Sequence, residues 1–488
     1  MPVSIPVAVG MLAGYARQEG IDCRVFDEEV EDLTPQKLHE LVEGLDGPIL
    51  FGLSCMTAHV ARAYEISKMI KQEFDDALGH KVVVGGIHVT ALPDEPLKTG
   101  YIDYVVRGEG EQALIALHAA VRLRNDVGDI PGVSYIRDGE IVHNPQGSLL
   151  PDLSVIPVFP HELFTHPRYD HGFMLTSRGC PYNCTYCSQR MMTGTTYRYR
   201  PVDKLIEEID LIVSKYDQKV INFYDDNFCV KKSRVREVCD AIIAGGYHKK
   251  VKFMLQTRAD NFPEEMVPLL AEAGFTMVGF GMETGSNRIA NLIQKEETVQ
   301  QHLDAIELAN KYGMQCMVFM ITGFPTETRE ERWASFRLAR SLHAHAPKFN
   351  NLIPYPGTPI YTDLKDSDRV HFGKDWYNFN STLSGTTSIF GRTPLAYVPE
   401  TVSEFELKRD ILLFNMLTNL TWRNLRNILM RKGELSWVQL PKHWYVNPKE
   451  LYNVAQIGFH ALVNILVILL PIAISQPIMN ALNPAMRA

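Results

Sequence analysis

Three cysteines in one short stretch are the residues of this 488-residue chain best placed to do chemistry. Cys180, Cys184 and Cys187 are separated by three and then two residues in SRGCPYNCTYCS. A loop with this spacing can hold three thiolates around one metal centre, and such soft ligands suit iron–sulfur clusters or zinc. A closed zinc site needs a fourth ligand, usually from another Cys or His pair at short spacing, and none is obvious. Three ligands on a cuboidal cluster leave one iron open to a substrate or cofactor.

The other five cysteines are expected to be small buried apolar residues: Cys23, Cys55, Cys229, Cys239 and Cys316. Eight cysteines are too few for a disulfide framework and indicate a reducing compartment, and no secretory signal is visible, so we expect a cytoplasmic location. The formal net charge of −8, from 49 basic and 57 acidic residues, disfavours a broad nucleic-acid-binding surface. A chain that is 45% hydrophobic and 22% charged is globular.

The elements that must position these cysteines alternate between strands and helices along most of the chain. In the first third, the strands DCRVFD, PILFGLS, KVVVGG and IDYVVRG lie between amphipathic helices, a pattern typical of a doubly wound, Rossmann-like α/β domain. A Pro-rich connector follows, and then six strands, FMLTS, KVINFYD, VKFMLQT, FTMVGFG, MQCMVFMI and KFNNLI, most of them followed by a helix. This second series predicts a partial (β/α)6 barrel with its chemistry at the carboxyl ends of the strands.

The last quarter of the chain is predicted to be a helical extension that ends in a hydrophobic tail. EFELKRDILLFNMLTNLTWRNLRNILMRK repeats its apolar residues at helical spacing, and residues 451–486 carry no charged side chain. The tail approaches the roughly 20 apolar residues that a bilayer crossing needs. Contact with the cytoplasmic face of a membrane, by spanning or lying on it, and packing on the barrel or a second subunit both remain open.

The cysteine loop resembles the C-x3-C-x2-C signature of the radical S-adenosylmethionine (SAM) superfamily. The resemblance implies a [4Fe–4S] cluster held by Cys180, Cys184 and Cys187, whose remaining iron is chelated by SAM, and a partial barrel around it. One electron from the cluster then cleaves SAM to a 5′-deoxyadenosyl radical that abstracts hydrogen from the substrate. Tyr186 matches the aromatic position that lies near the adenine in this family.

Further residues at successive strand ends match the SAM-binding positions of the family. Asp225 and Asp226 in FYDDNF would hold the methionine ammonium, and Arg258 would pair with the methionine carboxylate. Glu283 would accept hydrogen bonds from the ribose, and Gly323 would let the backbone approach the adenine. Taken singly, each has an ordinary role open to it, as a helix cap, an ion pair or a turn. Their order along the barrel favours the cofactor roles.

With such a barrel downstream, the first domain resembles the cobalamin-binding domain fused to one large subgroup of the superfamily. The residues that would lie against the corrin or bond its amide arms are Ser54, Thr57, Gly85, Gly86, His88, Gly108 and Gly110. Two departures matter. Only MPVSI precedes the first helix, where the family has a further strand, and no Asp-x-His-x-x-Gly sequence offers a lower axial imidazole.

The resemblance implies a cobalamin-dependent radical SAM enzyme that methylates an unactivated carbon of a small hydrophobic substrate, with reduced flavodoxin or ferredoxin as electron donor. A ring-forming or rearranging step in tetrapyrrole or lipid biosynthesis is the alternative within the class. A non-catalytic, zinc-stabilised binding protein is the alternative outside it. No nucleic-acid partner is expected. The predicted boundaries are 1–140 for the cobalamin domain, 141–168 for the linker, 169–365 for the barrel and 366–488 for the C-terminal region.

Overall fold

The computed structural model describes residues 3–74, 78–342, 344, 346–373, 376–380 and 393–419, together with positions 470 and 474. The charge-free segment 451–486 therefore lies outside the described residues, apart from those two positions. Within the described ranges, no helix combines the length and the apolar character needed to cross a bilayer.

A five-stranded sheet with helices on both faces forms the first domain. Its elements are β1 (Val3–Ser4), α1 (Val7–Gln18), α2 (Pro35–Val42), β2 (Leu50–Ser54), α3 (Val60–Glu73), β3 (Lys81–Gly85), α4 (Ile87–Ala91), α5 (Asp94–Leu97), β4 (Tyr104–Val106), α6 (Glu111–Leu123), β5 (Val133–Arg137) and β6 (Glu140–His143). The strand order is β2-β3-β4-β5-β6, in which β2 to β4 are mutually parallel, β5 is antiparallel to β4, and β6 is antiparallel to β5.

Strand β3 shows why this domain is doubly wound. Val82 and Val84 pack with the apolar face of α3 on one side of the sheet, and Val83 packs with Leu117 of α6 on the other. Because successive side chains of a strand point to opposite faces, a strand covered on both sides must be apolar throughout. The predicted α/β fold of this domain is confirmed.

One predicted strand of the first domain is wrong. DCRVFD, residues 22–27, forms no hydrogen-bonded strand, and β2 lies at the edge of the sheet with its residues half-buried or exposed. A strand needs a neighbour, and the short β1 pairs instead with Tyr169–Asp170, far along the chain. The Arg24 guanidinium donates to the carbonyls of Leu41 at 2.8 Å and Glu43 at 2.9 Å, which holds the segment as an extended loop.

The Pro-rich connector packs α1 against the rest of the molecule. Phe159 and Phe164 of the connector bury the face of α1 that carries Met11. Gly10 of α1 sits directly on the Phe159 ring, where a Cβ would clash. The connector is therefore part of a small apolar core between the two sheets.

Six parallel strands form the second domain, in the order β8-β11-β12-β13-β14-β15, which confirms the predicted partial barrel. Its strands, with short ribbons before them and in the cysteine region, are β7 (Tyr169–Asp170), β8 (Phe173–Met174), β9 (Ser177–Arg178), β10 (Arg198–Tyr199), β11 (Val220–Phe223), β12 (Lys252–Thr257), β13 (Phe275–Glu283), β14 (Gln315–Thr322) and β15 (Ala346–Asn351). Its helices are α7 (Arg190–Thr193), α8 (Val202–Ser214), α9 (Lys232–Ala244), α10 (Val267–Glu272), α11 (Asn287–Leu292), α12 (Val299–Lys311), α13 (Arg329–Ser341) and α14 (Pro359–Leu364).

The two faces of this sheet have different surroundings. The outward face packs against the helices in one apolar core, with Phe223, Phe253, Val318 and Phe349 among its members. Paired residues in a parallel sheet share a face, so the strand register identifies the opposite, inward face. We call this face the concave wall. It consists of Phe173, Asn222, Met254, Gln256, Met277, Gly279, Gly281, Gln315, Met317, Phe319, Ile321, Lys348 and Asn350.

A final described helix, α15 (Glu404–Asn419), closes the outer side of the barrel. The Asn415 side chain both accepts from the Phe349 N–H at 2.9 Å and donates to the Phe349 carbonyl at 2.8 Å, so it pairs with the edge of β15 as a neighbouring strand would. Asp410 of the same helix forms a buried ion pair of 2.8 Å with Arg332 of α13. The predicted helical extension is confirmed over these residues, and its later part lies outside the described ranges.

Candidate functional site

The three cysteines lie on the loop between β9 and α7, at the carboxyl end of the barrel strands. Cys184 is buried, while Cys180 and Cys187 are half-buried. Burial, together with the proximity of Cys184 and Cys180, raises the pKa of Cys187 to about 12. Among the described residues, no group of three or more Cys, His, Asp or Glu side chains already stands in metal-binding geometry.

The carboxylate of Asp225 anchors the segment that leads into the cysteine loop. It accepts hydrogen bonds from the Thr176 and Ser177 N–H groups at 2.6 and 3.2 Å, from the Ser177 hydroxyl at 2.8 Å and from the Thr176 hydroxyl. Asp226 accepts from the Gly179 N–H at 3.1 Å, within the loop itself. Of the two predicted ligands for a methionine ammonium, Asp225 is thus saturated by the chain's own donors.

Gly179 shows how tightly this loop is held. Its φ of +91° lies in the left-handed region, and a Cβ at this position would collide with the Thr196 carbonyl oxygen. Glycine is therefore required for the turn that follows β9 and brings Cys180 into place.

Arg258, the residue predicted to pair with the methionine carboxylate, lies beside the cysteine loop and has several partners within the chain. Its Nη1 lies 3.9 Å from Cys184 Sγ and donates to the Lys295 carbonyl at 2.8 Å. Its Nε and Nη2 donate to the Asp260 carboxylate at 2.9 and 2.8 Å, and its guanidinium stacks on the Tyr182 ring at 3.5 Å. The guanidinium is thus fixed in a defined position next to one of the three thiols.

Glu283 belongs to a buried cluster of charged side chains. Two other members, Lys295 and Glu297, were not predicted from the sequence to be site residues. Lys295 Nζ lies 3.7 Å from Glu283 Oε1 and 3.2 Å from Glu297 Oε2. Burial raises the pKa of Glu283, while the charge of Lys295 opposes this shift. Tyr186 is next to Glu283; burial raises the pKa of Tyr186, and the neighbouring carboxylate raises it further. The predicted adenine and ribose residues therefore lie together.

Gly323 lies in a turn against α15. Its N–H donates to Glu327 Oε2 at 2.6 Å, and a Cβ here would come within 2.9 Å of Leu407 Cδ2. Burial raises the pKa of Glu327 to about 7. The predicted approach of this backbone to an adenine stays a prediction.

The predicted corrin residues gather where β2, β3 and β4 end. Ser54 is exposed, Thr57 and His88 are buried, Gly85 ends β3, and Gly110 precedes α6. The Gly108 N–H donates to Thr90 Oγ1 at 3.0 Å. Gly86 has a φ of +109°, and its missing Cβ leaves room for the Cys55 carbonyl oxygen, which would otherwise be 2.5 Å away.

The ring of His88 is covered by Trp376, a residue that follows the barrel strands in the sequence. Trp376 packs edge-on over its ring at 5.3 Å and donates to Glu95 Oε1 at 3.0 Å, and His88 Nε2 lies 3.6 Å from the same Glu95 oxygen. Neither ring nitrogen of His88 has a hydrogen-bond partner within the described ranges. The Nδ1 atom of His88, which has no hydrogen bond among the described residues, is the kind of buried group that an amide arm of a corrin would satisfy.

The end of the first domain and the cysteine loop face each other. Thr90 Oγ1 lies 3.7 Å from Met192 Sδ, so α4 contacts α7 directly. A cavity of about 330 Å³ opens beside Cys187 and is lined also by Arg190, Met191, Gly357, Pro359 and Thr362. The predicted corrin end of the first domain and the cysteine loop are therefore neighbours at the contact between α4 and α7.

A buried group of four charged side chains joins the two domains close to the cysteine loop. Arg178, two residues before Cys180, pairs with Glu109 at 3.1 Å and with Glu111 at 2.6 Å, and Arg198 pairs with Glu109 at 2.8 Å. We call these four residues the interdomain clamp. From RGEGE, only the glycines were predicted to be functional. Its two acids, Glu109 and Glu111, were not, although two carboxylates directly after a strand were a signal of a charged site.

Comparisons with known proteins agree with this geometry. The sequence profile of the radical SAM superfamily matches residues 174–339, and that of the B12 binding domain matches residues 3–118. An uncharacterized methyltransferase of Pyrococcus horikoshii is 32% identical over 73% of this chain and 77% of its own length. An anaerobic magnesium-protoporphyrin IX monomethyl ester cyclase of Rubrivivax gelatinosus is 27% identical over 77% of this chain and 68% of its own length. The fold is similar to that of the methyltransferase TsrM from Kitasatospora setae, with a TM-score of 0.69 at 19% identity over 85% of this chain and 89% of that one.

The fold and the cysteine loop thus define a radical SAM enzyme. The chain belongs to the group of that superfamily that carries an N-terminal B12 binding domain, and this membership replaces the zinc-binding alternative. The predicted cofactors, a [4Fe–4S] cluster, SAM and cobalamin, are confirmed at the level of the family. The residues present also fit them, because three thiols share one loop and His88 Nδ1, a buried polar atom without a hydrogen bond among the described residues, lies where the strands of the first domain end.

Proposed function

We propose that the enzyme transfers a methyl group to an unactivated carbon of a small hydrophobic molecule. The observation that carries this proposal is the direct contact between α4, at the predicted corrin end of the first domain, and α7, which follows the cysteine loop. When bound, the cluster and cobalamin supply the electron and the methyl group, respectively. The methyltransferase relative, at 32% identity, supports this reaction.

Within this site, the chain's own residues bind, orient and exclude water. Cys180, Cys184 and Cys187 would hold the cluster, and Arg258, fixed by Asp260, would face the carboxylate of SAM. The Glu283 carboxylate, which lies beside Lys295, would accept a hydrogen bond from a hydroxyl group. The concave wall, which is mostly apolar, would keep water from the substrate.

Ring formation or rearrangement is the second candidate, because a cyclase matches 77% of the chain at 27% identity. A cytoplasmic location and reduced flavodoxin or ferredoxin as electron donor belong to the same proposal, since a SAM-cleaving cluster needs a strong reductant. Contact of the tail with a membrane stays a prediction for residues outside the described ranges.

Anaerobic product analysis separates the two reactions. Reconstituted enzyme is incubated with reductant, cobalamin and SAM that carries a trideuterated methyl group, with tetrapyrroles and lipids as candidate substrates. Methyl transfer predicts a product heavier by the labelled methyl group, formed with both S-adenosylhomocysteine and 5′-deoxyadenosine. Cyclisation predicts a product without label and without S-adenosylhomocysteine.

Two cysteine variants serve as controls for this assay. Cys187→Ala should abolish SAM cleavage, because it removes one predicted cluster ligand. Cys23→Ala, at a half-buried cysteine of the first domain, should leave it intact. Full SAM cleavage by the Cys187 variant would contradict the proposal.

A further inference from the structure

The concave wall carries a single charge among its residues. Most of its side chains are apolar, such as Met254, Met317 and Phe319, and the polar ones are neutral amides, such as Gln256 and Asn350. Lys348, on β15, is the one charged member of the wall as defined. It lies in register with Phe319 of β14 and therefore points to the same face.

Lys348 differs from the comparable lysines of this chain. It is half-buried, yet it makes no ion pair within the described ranges. Each of the other half-buried or buried lysines there has a carboxylate within 4 Å: Lys37, Lys71, Lys81, Lys204, Lys295 and Lys408. Among the described residues, the other partly buried ammonium groups are thus paired with a carboxylate, whereas that of Lys348 is not.

An ammonium group partly withdrawn from water on an apolar wall gains from an anionic partner. We propose that the partner is the substrate, which carries a carboxylate or similar acidic group that Lys348 binds. This inference rests on the proposed function, because it takes the concave wall as the substrate site. It specifies the chemical class of the substrate, which is an amphiphilic acid and not a neutral hydrocarbon.

The position of Lys348 also constrains the length of the substrate. It lies three residues before Asn351, the last residue of β15, and the cysteine loop is at the carboxyl end of the sheet. At about 3.3 Å per residue, the Lys348 backbone is about 10 Å below that end. A substrate held by its acid group at Lys348 would therefore extend an apolar body of this length along Phe319 and Ile321 towards the reacting atoms.

Binding of matched acids and esters tests this assignment. The probes are protoporphyrin IX and its dimethyl ester, and palmitic acid and methyl palmitate, titrated into the anaerobically reconstituted enzyme and followed by tryptophan fluorescence. In the wild type we expect at least one acid to bind about 10-fold or more tightly than its ester, a preference worth about 1.4 kcal/mol. Lys348→Met should bring the two affinities to within about twofold, and Lys348→Arg should keep the preference.

A control lysine and two further readouts make the outcome decisive. Lys365→Met, at an exposed position, should leave the preference unchanged, and circular dichroism should show that all variants are folded. Reductive SAM cleavage should be equal in the wild type and Lys365→Met. The inference is overturned if Lys348→Met keeps the preference, or if no acid binds more tightly than its ester. A missing methylated product, together with a preference that depends on Lys348, would instead count against the proposed function alone.

Discussion

Removing one carboxylate from the interdomain clamp should loosen the contact between the two domains. Glu109 is only 7% exposed and accepts hydrogen bonds from Arg178, from both Nη atoms of Arg198 and from the Leu150 N–H at 2.9 Å. Burial opposes the charge on Glu109, but hydrogen bonds from Arg198 and the charge of Arg178 outweigh it and lower the pKa of this carboxyl. Glu109→Gln keeps the size of the side chain and removes its charge.

The expected cost follows from what the substitution leaves behind. The Arg198 side chain is only 7% exposed, and the substitution would remove its charged partner. Breaking one side of such a buried pair costs about 3–5 kcal/mol. A loss of about 3 kcal/mol corresponds to a roughly 100-fold increase in the local opening that exposes the backbone amides at this contact to solvent. Hydrogen exchange followed by mass spectrometry should show this acceleration at the Leu150 amide, whose acceptor is Glu109 itself.

An exposed pair of the same chemistry provides the control. Arg137 and Asp126 are 2.6 Å apart with side chains 46% and 72% exposed, and the Val127 N–H donates to Asp126 as Leu150 does to Glu109. Because water screens such a pair, Asp126→Asn should change the exchange of its neighbouring amide very little. Equal effects of the two substitutions would refute the argument that burial, rather than short distance, makes the clamp strong.

Two further predictions concern pH and backbone geometry. Burial, followed by the charge of His171, lowers the pKa of His161 to about 3, so the contribution of this histidine to stability is complete above about pH 6.5, where an unfolded histidine is also neutral, and falls by about 2 kcal/mol by pH 5. Thermal melts at pH 7.5 and pH 5 should show a smaller loss for His161→Gln, and an equal loss would count against this histidine as the cause. Gly86→Ala should destabilise the first domain in urea titrations by about 1–3 kcal/mol, because its Cβ would lie 2.5 Å from the Cys55 carbonyl oxygen. Gly100→Ala, which also has a positive φ but no atom within 4 Å of the new Cβ, should cost less, and an equal cost would exclude the clash as the reason.

The sequence was sufficient for most of the architecture because its signals are local. Apolar runs such as KVVVGG and MQCMVFMI specify buried strands, and the spacing of the three cysteines specifies the loop that carries them. The error at residues 22–27 has a non-local cause. A stretch with the composition of a strand becomes one only if a neighbour pairs with it, and the short β1 pairs elsewhere.

The parts of the site that the sequence did not reveal depend on contacts between distant residues. Lys295 and Glu297 lie in a charged stretch, QKEET, that is typical of a solvated helix start, yet they are buried beside Glu283 and Arg258. Trp376 reaches His88 across more than half of the chain. No periodicity in the sequence encodes such pairs, because only the folded barrel brings them together.

The amide of Asn415 has a consequence for any shortened form of the protein. A chain that stopped before Glu404 would keep all six barrel strands but would lose the group that occupies the outer rim of β15 at Phe349. Bare strand rims invite pairing with other molecules, so such a fragment should self-associate even though its cysteine loop is intact. Helix α15 is thus a structural part of the catalytic unit and not an appendage to it.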